Sequence, residues 1–141
     1  MEMGKIFTTI TVTNRIDQAN AEDGLIPAGT VRSVTLSDVL VDTGATTLCL
    51  PREIIAQLGL KPLRLVPVET ANGVSESRVF QDAKVSLLGR EGTFECLELP
   101  GGKRPLLGVI PLEAMGIEPD LSSQSLRLLP LTEQDTYLTI L

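Results

Sequence analysis

Four short runs of strand-like sequence follow one another at residues 63–70, 75–80, 83–88 and 93–99, punctuated by Asn72-Gly73, Gly89-Arg90-Glu91-Gly92 and Pro100-Gly101-Gly102. Such runs are too short to be stable alone and must share a sheet, so they commit the middle of the chain to a β architecture. Residues 5–13, KIFTTITVT, place Ile6, Thr8, Ile10 and Val12 on one face at period two, and residues 30–36, 125–129 and 136–141 also read as strands. Residues 14–29 are polar, contain Asp23-Gly24 and Pro27, and read as a long loop. Pro51 followed by apolar residues at helical spacing and then Gly59 predicts a two-turn helix, and a second short helix is expected to start at Pro111 and stop at Gly116. The expectation is a mainly β, barrel-like domain with two short helices, spanning residues 1–141 as one unit.

Composition narrows the chemistry. The chain of 141 residues is 43% hydrophobic but only 3% aromatic, so its core must be filled by Leu, Val, Ile and Ala. It contains no histidine, which removes Ser-His and Cys-His catalysis because no imidazole is available as base. Cys49 and Cys96 without histidine cannot assemble a usual zinc set, and they are expected to be buried, reduced thiols; no metal and no cofactor is expected. The formal charge of -6 and the lack of a long Lys/Arg run argue against nucleic acid as a partner. No apolar stretch approaches the ~18 residues needed to span a bilayer, and residues 1–5 run straight into a strand pattern without a secretory h-region. A cytoplasmic protein with no membrane partner is the expectation.

Val39-Leu40-Val41 leads into Asp42-Thr43-Gly44-Ala45, so an apolar strand ends in a carboxylate followed by a tight turn. Taken alone, Asp-Thr-Gly reads as a simple Asx turn. Asp38 is expected to be an exposed residue of the approaching strand and Asp120 a turn residue. Gly101-Gly102-Lys103-Arg104 is not a phosphate loop, because Leu97 stands where its first glycine is required.

The order of these parts resembles the retropepsin-like aspartic peptidases, the single-lobed fold of retroviral proteases, over residues 5 to about 129. It is carried by the apolar strand before Asp42-Thr43-Gly44-Ala45, the short helix after it, the hairpin about Asn72-Gly73, and Leu106-Leu107-Gly108 leading into a helix. The resemblance implies an aspartic endopeptidase with Asp42 as catalytic carboxylate. Thr43 would hydrogen-bond across a dimer axis, and Gly44 would admit substrate backbone. Ala45, together with Ala71, Asn72, Gly73 and Val74 of a flap at residues 71–77, would meet the substrate. Leu106, Leu107 and Gly108 would form an inner strand that crosses behind the Asp loop and supports it. An ordinary surface hairpin is the plainer reading of residues 71–77.

Only one Asp-Thr-Gly occurs in the chain, so the second carboxylate that such chemistry needs must come from another copy, and the resemblance implies a homodimer acting on a peptide or protein substrate. Strands at residues 5–13 and 136–141 are expected at or beside the subunit interface. Three departures bear on activity: Thr46 and Thr47 stand where retroviral enzymes carry acidic residues, the flap has Gly73 as its one glycine, and the loop at 14–29 is longer. They leave open a non-catalytic, dimeric peptide-binding or scaffold module on the same fold.

Overall fold

The computed structural model describes residues 5–131 and Ile140. The chain starts with β1 (Ile6–Asn14), which forms an antiparallel pair with β2 (Ser33–Val41). After β2 come β3 (Leu48–Pro51), α2 (Arg52–Leu58), β4 (Lys61–Thr70), β5 (Gly73–Leu87), β6 (Arg90–Leu99), β7 (Leu106–Leu107), α3 (Val109–Ala114), β8 (Ile117–Asp120) and β9 (Ser125–Leu128), with α1 (Arg15–Glu22) set between β1 and β2. The main sheet runs β1-β2-β7-β3-β6-β5-β4, and β1 also pairs with β5. That extra pairing closes six strands on themselves and leaves β4 as an arm outside the ring, while β8 and β9 form a separate ribbon.

The predicted mainly β, barrel-like class holds because period-two alternation sends one side chain of every pair inward. Ile10, Val12, Val39, Leu48, Leu50, Val85, Cys96 and Leu107 fill the interior, and Leu58, Leu112 and Met115 cover it from the helices. Aliphatic packing therefore replaces aromatic bulk, as the composition requires. Cys49 and Cys96 are both free and buried.

The helices differ from expectation in number and bounds. Residues 14–29, read as a loop, open with α1: the Asn14 side chain accepts from the Asp17 N–H and caps the helix. The same Asn14 donates through Nδ2 to Leu58 O at 2.8 Å, and Asp17 receives Arg32 Nε at 2.8 Å, Arg32 Nη2 at 3.0 Å and the Arg32 N–H at 3.1 Å. Long-range partners thus fix a segment with weak local signals. The Arg32 hydrogen bonds hold the Asp17 carboxyl below its ordinary value of 3.8. A lowered carboxyl adds stability that is complete above its unfolded value and is lost as pH falls through the folded one. Asp17→Ala is therefore expected to cost about 1–3 kcal/mol at neutral pH, and the gap between variant and parent in urea melts should stay constant above about pH 5 and narrow progressively as pH falls below about 4. A gap that is the same at about pH 2 as at about pH 7 counts against the clamp.

Three further differences have local causes. The segments 75–80 and 83–88, expected as separate strands, fall on the single strand β5 up to Leu87, with Leu88 in the following turn; β5 bulges where Asp82 takes a positive φ of 62°. Helix α3 begins at Val109, two residues before Pro111; the ring is tolerated there because the first-turn N–H groups need no intrahelical partner. At the hairpin joining β4 and β5, Thr70 pairs with Gly73, so the turn residues are Ala71 and Asn72, not Asn72 and Gly73. Gly73 follows the turn at φ 107°, a conformation that glycine adopts without strain.

β1 already pairs with β2 along most of its length and with β5 over residues 11–14, so only its first half has an edge without a described neighbour. The expected C-terminal strand at 136–141 lies outside the described residues except for Ile140. Asp38 is an exposed residue of β2, and Asp120 turns the chain between β8 and β9 by accepting from the Ser122 and Ser123 N–H groups. Among the described residues no helix is long and apolar enough to cross a membrane.

Candidate active site

Strand β7 runs parallel to β2 and antiparallel to β3, so this two-residue strand stands between the arms that enter and leave the Asp loop. The Leu40 N–H donates to Pro105 O at 3.0 Å and the Asp42 N–H to Leu107 O at 3.0 Å, which fixes the backbone on both sides of Val41. With Val39 and Val41 turned into the core, Asp42 emerges on the other face, half-buried, while Thr43 and Gly44 are exposed.

The loop then folds tightly on itself. The Ala45 N–H donates to Asp42 O at 3.0 Å and the Gly44 N–H to Asp42 Oδ1 at 2.9 Å. The Asx turn is therefore real, and it orients one carboxylate oxygen. Three further loop carbonyls are taken by the start of α3: Gly108 N–H to Thr47 O at 3.0 Å, Val109 N–H to Ala45 O at 2.9 Å, and Ile110 N–H to Thr46 O at 2.9 Å. Helix N–H groups that have no intrahelical partner are spent on the Asp loop.

Gly108 is the point of closest approach. A Cβ there would lie 2.5 Å from Thr47 O, 2.6 Å from Ala45 O and 2.6 Å from Thr47 N. Thr47 adds a side-chain tether, its Oγ1 donating to Glu95 O at 2.9 Å. Beside the loop, burial and then the charge of Asp42 push the Cys49 thiol up to about 11, and burial raises Cys96 further still. Both thiols are held neutral and are poor nucleophiles.

Of the residues singled out from sequence, the structure joins Asp42, Gly44, Ala45, Leu107 and Gly108 in one hydrogen-bonded unit, with Thr43 exposed within its turn. Leu107 contributes through its carbonyl, because its side chain is fully buried. Ala71, Asn72, Gly73 and Val74 form the exposed tip of the β4–β5 hairpin, and among the described residues no hydrogen bond links that tip to the Asp loop. Thr70 Oγ1 braces the tip by donating to Gly73 O and accepting from the Asn72 N–H. A cleft of about 290 Å³ between this hairpin and β6 is lined by Leu65, Val68, Ser75, Leu97 and Leu99 among others, and Asp42 is not one of them. Leu106, expected with Leu107 on the inner strand, is half-buried beside Leu40; sequence reading missed Thr47 as a tether.

A single-lobed barrel that presents one carboxylate on a loop clamped by an inner strand and a helix start is the architecture of a one-lobe acid protease. A protein-family model described as aspartyl protease matches residues 28–110, from the turn before β2 to the start of α3, more than half of the chain. The chain belongs to this aspartyl protease family, of the retropepsin-like clan, and the peptidase class and peptide substrates follow from that membership. No curated protein matches the chain.

Proposed function

We propose that two copies of the chain pair about a two-fold axis, bring their Asp42 carboxyls within hydrogen-bonding distance and hydrolyse peptide bonds with the water held between them. What supports this reading is the Asp42 carboxylate itself: it is half-buried and oriented by the Gly44 N–H, on a loop whose carbonyls are tied to α3. Two carboxyls so close cannot both ionise cheaply and share one proton. The ionised member takes a proton from water as general base, and the neutral one protonates the carbonyl oxygen as general acid. In this reading the Thr43 hydroxyl, exposed beside Asp42, bonds across the axis, and the hairpin tip at Ala71-Asn72-Gly73-Val74 folds over the substrate.

A hydroxyl-bearing transition-state mimic titrated calorimetrically into the protein should bind one molecule per two chains. Hydrolysis should also follow a bell-shaped curve on the acid side of neutrality, falling as the shared proton leaves. Binding of one mimic per chain, or hydrolysis that rises steadily through pH 7, would sink the shared dyad. The rival, a dimeric peptide-binding module without turnover, draws on one observation. Thr47, where retroviral enzymes have an acidic residue, spends its hydroxyl on Glu95 O and offers substrate no carboxylate.

A further inference from the structure

The sheet face that Asp42 shares carries more than the Asp loop. Alternation about the buried Val39 and Val41 puts Asp38, Leu40 and Asp42 on that face. Phe7 lies across from Leu40 in the β1–β2 register, and Leu106 lies beside Leu40 in the β2–β7 register. Leu40 and Leu106 are half-buried and Phe7 is 39% exposed, so an apolar patch begins one alternation step, roughly 7 Å, from Asp42. The Arg104 guanidinium rests on this patch, 4.7 Å from the centre of the Phe7 ring, and lies 3.7 Å from Asp38 Oδ2.

We infer that Phe7, Leu40 and Leu106 floor a side-chain pocket beside Asp42, and that Arg104 is its specificity-determining residue, selecting a substrate glutamate. The inference rests on the peptidase reading above. A guanidinium stacked on a ring uses its flat face and leaves its edge N–H groups for a partner in the plane. The Asp38 contact is longer than a hydrogen bond, and both side chains are at least half exposed, so it holds Arg104 weakly. An incoming carboxylate can take two parallel N–H bonds from the same fork. The two methylenes of glutamate would cover the apolar floor.

The loop that carries Arg104 is held at both ends. Glu53 Oε1 accepts from the Gly102 N–H at 3.0 Å, and Gly101 lies so close that a Cβ would sit 3.1 Å from Glu53 Oε2. The Gly-Gly pair thus wraps a carboxylate of this chain's own α2. On the other side Pro105 O is fixed by the Leu40 N–H. Arg104 stands between these two anchors.

The test is digestion of a diverse peptide pool by the full chain, with cleavage sites read by mass spectrometry. At one position near the cut, Glu should be favoured over Gln by roughly tenfold, the range expected for charged hydrogen bonds. Arg104→Glu should invert the preference toward Lys, and Arg104→Gln should erase it, which keeps the inference testable if the charge reversal impairs folding. The preference of the parent should fade below about pH 4 as the substrate glutamate takes up its proton. Cleavage without glutamate enrichment, or enrichment unchanged by either substitution, overturns the inference and leaves the peptidase reading standing. A pool left uncut by the parent protein overturns the peptidase reading, and the pocket's role falls with it.

Discussion

Asp42→Asn is expected to reduce peptide hydrolysis by at least about 10²–10⁴-fold, the contribution typical of a positioned acid or base, while leaving the thermal midpoint nearly unchanged. Asparagine keeps the size of the side chain and a carbonyl oxygen that can still accept from the Gly44 N–H, now at 2.9 Å from Asp42 Oδ1, so the turn survives. It cannot ionise, and a dyad with one such member has no shared proton to move. Mixing sharpens the test. If each active site needs Asp42 from two chains, equilibrated mixtures of parent and variant should lose activity as the square of the parent fraction. A linear loss would mean that each chain works alone, and full turnover by the pure variant would remove Asp42 from the chemistry.

Gly108→Ala is the second large effect. The added methyl would meet three backbone atoms of Thr47 and Ala45 at 2.5–2.6 Å, and backbone cannot swing aside as a side-chain tip can. Overpacking of this kind costs about 1–3 kcal/mol or more, and here the strain falls on the loop that carries Asp42. The expected result is a lowered urea midpoint together with a loss of hydrolysis larger than the fraction of unfolded protein explains. Gly29→Ala, where an added Cβ meets nothing within 4 Å, should leave both measurements nearly unchanged. A Gly108→Ala variant as stable and active as the parent would show that the loop and α3 can separate freely.

Local sequence sufficed where one residue type leaves a short chain segment little choice. Val and Ile alternation gave β1, proline and glycine bracketed α2, and an apolar strand broken by Asp42-Thr43-Gly44 marked the loop and its carboxylate. Those features depend on neighbours a few residues away. The helix α1 was not legible, because its cap and clamp are made with Leu58 and Arg32, and a polar segment shows no helical stripe when its key contacts are hydrogen bonds to distant backbone. The hairpin turn shifted by one residue for a similar reason: the β4–β5 register, set by pairing along nine residues, overrides the local preference for Asn-Gly.

The site divides along the same line. Sequence alone singled out Asp42 as the candidate carboxylate and, through the missing histidines, removed imidazole-based chemistry. Tertiary structure decided what surrounds Asp42: β7 inserted between β2 and β3, the N-terminal N–H groups of α3 spent on the loop carbonyls, and Arg104 brought onto the same face as Asp42. Each of these joins segments more than fifty residues apart in the chain. Residue type fixes what a group can do, but only the closed sheet fixes what stands within a few ångströms of it.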